Sequence, residues 1–525
     1  MTRTNLARAG MTVFAAYLAS RILGWVRVVV MARLFAAPDQ IGDLDAYNAA
    51  FRIPDLIYQL VAAGAIAAAL VPVLSGLLSN GERDRAWRVA SGVANTVLLI
   101  LSVLALVMFL FAPQIVPVLV GGWDAEKTAK TVELTRMMLL SPIFLALGAV
   151  VSSILNTEGR FGAAALAPVV YNLGIIVCAI ALAPVIGIDG AAVGVVVGSV
   201  LHFAIQLPAL RGHFTWTHRV RTGDPATREA LMLMVPRAIG LGAAQITYIV
   251  NTSLATTISI AGLAANTGAV SVYNFSFNML QIPLGVLAVP VGVVLLPALS
   301  RSRSSSDDAG FASMVGRSVR LLLWMTVFLM AVGMVLRVPS VEILFPSLTP
   351  PVADATAATL AIFLLGMPAH AVNVILARAF YAGRDTRTPV VVAVASVGVN
   401  VVVSVLTYQT WGLLGLALGI ALGGWFDAIA LAVILQLRVP EFRLRQFLST
   451  GSFVIGGLLA GGTALVVATV VAGFHLVGST YLSSVLQVAV GGLAAGAVYL
   501  LYSRLVRLPE LPRAIGLVRQ ALLRG

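Results

Sequence analysis

The chain is poor in charge, has a single cysteine and carries few acidic residues inside its long apolar segments. Charged residues make up 10% of its 525 positions and hydrophobic residues make up 59%, whereas soluble proteins are typically about a quarter charged. The lone Cys178 excludes an intrachain disulfide framework and a cysteine-based zinc site. These shortages exclude an ordinary soluble domain and indicate a protein embedded in a membrane.

Apolar windows long enough to cross a bilayer recur to the end of the chain. Because a bilayer core offers no water to the backbone, such windows must form helices. The first window contains two arginines and lacks a convincing cleavage site, so we interpret it as a retained helix. The sequence predicts an all-α polytopic membrane protein with about fourteen transmembrane helices, near 11–34, 46–78, 88–120, 131–155, 162–186, 189–210, 230–261, 267–299, 313–338, 354–380, 388–409, 412–437, 450–475 and 482–503.

Basic residues between these helices fall mainly on one side of the predicted membrane. Most of the 34 lysines and arginines lie in alternate loops and in the C-terminal tail. The positive-inside rule then predicts that both termini are cytoplasmic, which an even number of spans also requires. We therefore expect a multi-pass membrane protein with both termini in the cytoplasm, and attribute the high basic content to topology rather than to nucleic-acid binding.

Two short motifs recur at nearly one spacing, which indicates an internal repeat. Pro72 and Pro297 are 225 positions apart, and Arg160 and Arg384 are 224 apart, each within similar local sequence. Each copy spans six helices, which predicts two parallel six-helix lobes around a central cavity, a common transporter plan. Chance recurrence of proline and glycine motifs is the alternative. The predicted organisation is an N-terminal lobe (1–211), a cytoplasmic linker (212–229), a C-terminal lobe (230–438), and a final helix pair with a basic tail (439–525).

Four arginines lie within or near the ends of predicted spans: Arg21, Arg27, Arg52 and Arg237. A charge at a helix centre costs about 2.5–3.5 kcal/mol on insertion scales, so it is seldom kept without a partner or an aqueous cavity. Arg21 is expected near the midplane, and Arg27 nearer the outer leaflet. For Arg52 the sequence favours a local ion pair with Asp55 and a place in the cavity equally. Arg237 lies deep enough to favour a cavity, although its side chain could also reach the cytoplasmic surface.

The predicted spans hold few carboxylates, so their arginines favour an anionic ligand over a cation. Arginine binds phosphate through a planar, two-pronged donor set and stays charged at physiological pH. A phosphate or diphosphate is therefore the expected ligand class. His202 and His370 lack partners at metal-ligand spacing and are expected to be structural. We find no nucleotide-binding loop, nucleophile elbow or zinc motif, and predict a transporter without cofactor or metal rather than an enzyme.

Several motifs together resemble the MurJ/MviN family of the multidrug/oligosaccharidyl-lipid/polysaccharide exporter superfamily. The family flips lipid II, the undecaprenyl-diphosphate-linked peptidoglycan precursor, from the inner to the outer leaflet. The resemblance implies two six-helix lobes and a final helix pair that forms a groove for the lipid tail. It also implies a multi-pass protein of the bacterial cytoplasmic (inner) membrane. Its motifs are 20–27 (SRILGWVR), 32–35 (ARLF), 45–47 (DAY), 51–54 (FRIP), 155–161 (LNTEGRF), Gln245 with 251–252 (NT), Pro283 with 285–287 (GVL), and 295–300 (LLPALS).

The resemblance implies roles for individual residues of this chain. Arg21 and Arg27 match the two arginines of the family's first helix, and Asp45 matches an aspartate that the family has in a loop. Arg52 matches a basic residue before an Ile-Pro pair, and Gln245 belongs to a shared motif. The resemblance therefore makes these five residues candidates for substrate binding.

The chain departs from the family pattern at two positions. Tyr58 and Asn278 stand where some members have arginine, whereas Arg237 stands where they have a small residue. We hypothesise that Arg237 supplies the cationic character lost at Tyr58 or Asn278, and we include all three among the candidate substrate-binding residues.

The expected mechanism is alternating access, in which the two lobes rock and arginines neutralise the diphosphate. The expected partners are lipid II or a similar polyprenyl-diphosphate oligosaccharide, membrane lipids, and cell-wall synthesis proteins as further candidates; no nucleic acid is expected. The first alternative is a flippase for another lipid-linked oligosaccharide, and the next is a cation or drug antiporter. A non-transporting scaffold and a membrane-embedded enzyme are the remaining alternatives.

Overall fold

The computed structural model describes residues 3–61, 65–211, 214–217, 223–473 and 480–516. Within these ranges the regular secondary structure is entirely helical, which confirms the predicted all-α class. Twelve helical segments in the described residues are long and apolar enough to cross a membrane. Two of the fourteen predicted spans, 46–78 and 230–261, are not among the twelve, although both regions are largely helical.

The chain divides into two compact units. The first comprises Met1–Thr257 and Ala264–Ser271, and the second comprises Ile258–Leu263 and Val272–Gly525. The helices of the first unit are α1 (Arg3–Phe35), α2 (Ile41–Ala50), α3 (Arg52–Val61), α4 (Ala65–Ser79), α5 (Arg83–Leu119), α6 (Ala125–Met138), α7 (Ser141–Thr157), α8 (Phe161–Ile186), α9 (Asp189–Ala204), α10 (Leu207–Leu210) and α11 (Pro225–Ala255).

The helices of the second unit follow in chain order, and the first turn of α12 belongs to the first unit. They are α12 (Ala269–Ser304), α13 (Asp308–Val335), α14 (Arg337–Leu344), α15 (Pro350–Ala382), α16 (Arg387–Trp411), α17 (Leu413–Arg438), a 3₁₀ helix (Leu444–Thr450), α18 (Gly451–Gly473) and α19 (Thr480–Leu505). Helix α11 packs against α3, α4 and α5, so the division by contacts falls later in the chain than the linker predicted at 212–229.

The predicted second span, 46–78, is largely helical but is interrupted at Phe51. The structure begins helix α2 earlier, at Ile41, and separates it from α3 at Phe51. Pro54 lies in the first turn of α3, where its missing N–H removes no helical hydrogen bond. Because α2 begins at Ile41, Asp45 lies inside a helix and not in a loop.

Gly187 and Gly412 are structural counterparts in the two copies of the repeat. Gly187 follows α8 with φ 58° and ψ −137°, and Gly412 follows α16 with φ 55° and ψ −131°. A side chain is strained in this region of backbone space, which explains glycine at both turns. Their spacing of 225 residues equals that of the proline motifs.

The spaced glycines of α9 allow a close approach to α8. A Cβ atom on Gly198 would lie 2.6 Å from the carbonyl oxygen of Tyr171, and one on Gly174 would lie 2.7 Å from the Cα of Gly198. Glycines four residues apart, as at Gly194 and Gly198, allow two helices to pack closely. The same close approach places Tyr171 against α9.

The two C-terminal helices pack against each other and against α13 and α14 of the second unit. The Tyr499 hydroxyl donates to the carbonyl oxygen of Trp324 at 2.8 Å, and the Trp324 indole donates to the Ser503 hydroxyl at 3.0 Å. Their outer faces carry exposed apolar side chains such as Leu458 and Leu493, as lipid contact requires.

Candidate functional site

Polar side chains from three other helices of the first unit lie near Arg27. The half-buried Arg27 of α1 lies within electrostatic range of Tyr47 on α2, Asp55 on α3 and Tyr171 on α8. Tyr58, one turn after Asp55, is close to both Asp55 and Tyr171. We call these five residues the Arg27 cluster. It places a cation, one carboxylate and three phenol groups together inside a membrane protein.

Arg52 lies beside this cluster, at the start of α3. Its Nε donates to the Thr252 hydroxyl at 3.2 Å, and its guanidinium lies 5.4 Å from the centre of the Tyr248 ring. Arg52 is also within electrostatic range of Asp55, whose carboxylate accepts a hydrogen bond from Gln59 at 3.4 Å. Asp55 is therefore flanked by Arg27 as well as by Arg52, so it is not the exclusive partner of Arg52.

Arg21 is separate from the Arg27 cluster and is exposed. Its Nε donates to the Tyr17 hydroxyl at 3.2 Å, and its guanidinium lies 5.3 Å from the centre of that ring. Tyr17 is one turn earlier on the same helix, so both contacts are local. Among the described residues no carboxylate lies within ion-pair distance of Arg21 or Arg27. Both guanidinium groups are thus available to an anion.

Asp45 is fully buried and binds the start of α12. Its carboxylate accepts hydrogen bonds from the backbone N–H of Gly268 at 2.6 Å, from the N–H of Ser271 at 2.8 Å and from the Ser271 hydroxyl at 2.8 Å. Lys127 supplies a fourth contact at 3.0 Å. Free N–H groups at a helix N-terminus favour an anion, so Asp45 stabilises the first turn of α12. We call Asp45, Lys127, Gly268 and Ser271 the Asp45 clamp.

Further hydrogen bonds hold the clamp in place. Asn48 donates to the Ser271 hydroxyl at 3.2 Å, and Lys127 donates to the carbonyl oxygen of Asn266 at 3.3 Å. Asn266 in turn donates to the carbonyl oxygen of Gly122 at 2.7 Å. The clamp thus joins α2, the start of α6 and the segment before α12 within the first unit.

The remaining predicted site residues are less closely grouped. Gln245 is buried on α11. Asn278 lies on α12 in the second unit, where it donates to the carbonyl oxygen of Asn274 at 2.8 Å. The side chain of Arg237 lies outside the described residues, although its backbone belongs to α11. The structure therefore brings together Arg27, Arg52 and Tyr58, and places Arg21 and Asp45 apart from them.

Sequence reasoning missed Tyr171 and Tyr248 and treated Asp55 only as an ion-pair partner. Asp55 had a detectable signal, since it is one of few carboxylates in the predicted spans. Tyr171 and Tyr248 had none, because each reaches the site only through packing of α8 and α11 against the first three helices.

The two intramembrane histidines occupy packing positions. A Cβ atom on Gly148 would lie 2.4 Å from the Nδ1 of His202, and one on Gly424 would lie 2.7 Å from the Cε1 of His370. The described residues contain no group of three or more His, Cys, Asp or Glu side chains that could hold a metal ion. The concentration of arginine and phenol groups is instead suited to phosphate oxygens, which accept several charge-assisted hydrogen bonds.

Comparisons with known proteins match one family over most of the chain. The family model described as "Lipid II flippase MurJ" matches residues 31–489. A probable lipid II flippase MurJ of Rhizobium tropici is 30% identical, with 94% of this chain and 96% of the relative covered. The lipid II flippase MurJ of Burkholderia cenocepacia is also 30% identical, with 83% and 84% covered.

Solved structures show the same fold. One described as lipid II flippase MurJ in an inward closed conformation aligns with a TM-score of 0.78 at 23% identity, over 94% of this chain and 98% of that one. An inward-facing multidrug resistance MATE transporter aligns with a TM-score of 0.66 at 17% identity, over 81% and 95%. With twelve candidate spans, this chain is a multi-pass membrane protein, and the extent of the family match shows that it belongs to the MurJ family.

Proposed function

We propose that this protein flips lipid II, the polyprenyl-diphosphate-linked peptidoglycan precursor, from the inner to the outer leaflet of the cytoplasmic membrane. The observation that carries the proposal is the pair Arg21 and Arg27 on a membrane-spanning helix, with no carboxylate at ion-pair distance among the described residues. Unpaired cations are costly within a bilayer and are kept where they serve a ligand. Membership of the MurJ family supports lipid II as that ligand.

The chemistry of the Arg27 cluster fits a diphosphate. The guanidinium group of Arg27 offers paired N–H donors to phosphate oxygens, and the hydroxyl groups of Tyr47, Tyr58 and Tyr171 can add neutral donors. Asp55 balances part of the charge of Arg27 and Arg52 while no ligand is bound. Binding of a diphosphate would therefore draw the arginines away from Asp55, a rearrangement that couples ligand binding to the position of α3.

The Asp45 clamp supports alternating access. It consists of four contacts to one buried carboxylate, and three of them reach residues 268–271. Hydrogen bonds to a charged group contribute roughly 1.5–3 kcal/mol each, so the clamp stabilises one conformation strongly while remaining reversible. The proposed cycle breaks the clamp when the bound head group is released outward. A negative-inside potential favours outward movement of an anion by about 2.3 kcal/mol per charge per 100 mV.

Other elements of the proposal concern topology and the lipid tail. Both termini lie in the cytoplasm, as the distribution of basic residues predicts. The polyprenyl tail stays in the bilayer along α18 and α19, whose exposed faces are apolar. Arg237 supplies the positive charge that Tyr58 and Asn278 lack. Proteins of cell-wall synthesis are candidate partners. The protein acts as a transporter and not as an enzyme.

Complementation under depletion tests the proposal. A bacterial strain whose own lipid II flippase is depleted should grow on this chain, and lipid II should not accumulate. The Arg27→Gln variant should fail although it reaches the membrane, whereas Arg33→Gln should succeed, because Arg33 is an exposed arginine at the end of the same helix. Failure of the wild-type chain with continued lipid II accumulation would contradict the substrate and favour another lipid-linked oligosaccharide.

A further inference from the structure

A cavity of about 1110 Å³ lies between α5 and the α6–α7 segment, and its lining shares no residue with the Arg27 cluster or the Asp45 clamp. Ligand pockets commonly measure about 300–1,000 Å³, so this one could hold a sizeable molecule. Its walls are largely apolar and include Leu106, Phe109 and Leu140, all of which are exposed. In membrane-spanning helices such exposure means contact with lipid, so the cavity opens to the bilayer.

Arg136 lines this cavity and is held in an unusual way. Its Nε donates to the carbonyl oxygen of Phe109 at 2.9 Å, and its guanidinium lies 4.9 Å from the centre of the Phe109 ring. Pro113 lies four residues after Phe109 inside α5 and has no N–H, so the Phe109 carbonyl lacks its usual helical donor. Arg136 replaces that donor, which fixes the orientation of its guanidinium group.

The rest of the Arg136 guanidinium remains available to a ligand. Its two terminal NH₂ groups have no carboxylate within ion-pair distance among the described residues. An unpaired guanidinium beside an apolar cavity in a membrane suits a phosphate group whose hydrocarbon chain fills the cavity. The cavity therefore combines a phosphate-binding group with space for a lipid chain.

Glu133 indicates which kind of phospholipid fits. It also lines the cavity, one helical turn from Arg136 and nearer the start of α6. The carboxylate pairs only with Lys130 at 3.1 Å in the described structure, and 57% of the side chain is exposed, so this ion pair is weak. A cation one turn beyond the phosphate would meet Glu133 favourably, whereas a second anionic group would be repelled.

We propose that this cavity binds a zwitterionic aminophospholipid, with its phosphate on Arg136, its ammonium group on Glu133 and one acyl chain between α5 and α7. The site is independent of the proposed flippase site, because none of its lining residues belongs to the Arg27 cluster or the Asp45 clamp. It would anchor the outer half of the first unit to the bilayer, on the side where the predicted topology places α6.

Native mass spectrometry of the full-length protein, stripped of lipid and titrated with phosphatidylethanolamine or phosphatidylglycerol, tests this proposal. The wild type should bind phosphatidylethanolamine more tightly than phosphatidylglycerol. Arg136→Gln should weaken that binding by roughly tenfold, as expected for loss of a charge-assisted contact. Glu133→Gln should abolish the preference between the two lipids. Ala129→Phe, at an exposed lining position, should fill the cavity and remove binding.

Two controls separate the site from general lipid adsorption. Arg33→Gln removes an exposed arginine, and Ala181→Phe adds a ring to the exposed face of α8; neither residue lines the cavity. Both variants should bind as the wild type does. Equal affinity of the wild type and Arg136→Gln would overturn the proposal, as would unchanged binding by Ala129→Phe. A wild-type preference for phosphatidylglycerol or for a polyprenyl phosphate would overturn the assignment of the ligand.

Discussion

Asp45 and Ser271 are joined by two hydrogen bonds of 2.8 Å, one from the backbone N–H and one from the hydroxyl of the serine. They are 226 residues apart in the sequence, and both are fully buried. The carboxylate thus takes the place of a capping residue for a helix to which it does not belong. Because it also accepts from Gly268 and Lys127, loss of its charge should weaken several contacts at once.

Asp45→Asn should therefore loosen the first turn of α12. An amide keeps the shape of the carboxylate but loses charge-assisted bonds, at a cost of roughly 1–3 kcal/mol. In a Cys178→Ala background, the buried Val270→Cys should react with a membrane-impermeant maleimide about tenfold faster when Asp45→Asn is present. Asp39→Asn, which alters an exposed residue just before the same helix, is the matched control. Equal labelling rates in both variants would contradict a clamp role for Asp45.

Arg52 and Thr252 should be energetically coupled. Their hydrogen bond of 3.2 Å joins α3 to α11, and a bond that involves a charged group contributes roughly 1.5–3 kcal/mol, less where the geometry is long. A double-mutant cycle with Arg52→Gln and Thr252→Val, followed by thermal unfolding in detergent, should give a coupling energy of about 1 kcal/mol. Additive effects of the two substitutions would show that Arg52 acts through its other neighbours.

The loop between α15 and α16 should lose stability in acid. Burial alone would raise the pKa of the Asp385 carboxyl, but hydrogen bonds from Thr388 and the ion pair with Arg438 outweigh it and lower the pKa to about 2. Since this folded-state pKa lies below the ordinary value of 3.8, the contribution to stability is complete above that value and disappears as the pH falls through about 2.

Asp385→Asn should accordingly melt a few degrees below the wild type at pH 6, since about 1 kcal/mol corresponds to roughly 2–4 °C in a unit of this size. The difference should shrink as the pH approaches 2. Asp39→Asn, at an exposed position outside the helices, should melt like the wild type throughout. A pH-independent difference would show that the substitution acts through packing and not through the charge of Asp385.

Arg237→Ala should reduce flippase complementation if this arginine compensates for the missing ones at Tyr58 and Asn278. Introducing Asn278→Arg into the Arg237→Ala variant should then restore growth of the depleted strain. Leu233→Ala, at an exposed position one turn earlier on α11, provides a control for general damage to the helix. Full growth with Arg237→Ala alone would remove Arg237 from the substrate site.

The sequence carried most of the information about fold class because its signals were local. Apolar windows predicted the long helices, and the recurring proline motifs predicted a repeat whose counterpart appears in Gly187 and Gly412. The one-residue interruption between α2 and α3 falls close to Pro54, a residue compatible both with a kink inside one helix and with the start of another.

The candidate site was predictable only where charge made a residue conspicuous. Arg21 and Arg27 stand out in an apolar helix whatever surrounds them. Tyr171 does not, since a tyrosine in a span is ordinary until the close packing of α8 on α1 brings it near Arg27. The partners of Asp45 could not be predicted from the sequence either, because Gly268 and Ser271 lie in a distant segment with no distinctive motif.

Translocation of a fluorescent lipid-linked diphosphate in proteoliposomes tests the central claim, that the arginines of α1 bind the diphosphate. The wild type and Arg33→Gln should flip the lipid at equal rates. The double variant Arg21→Gln/Arg27→Gln, reconstituted in equal amount, should be slower by at least about tenfold, because each lost charge-assisted contact is worth roughly 1.5–3 kcal/mol. Translocation by the double variant at the wild-type rate would contradict the account.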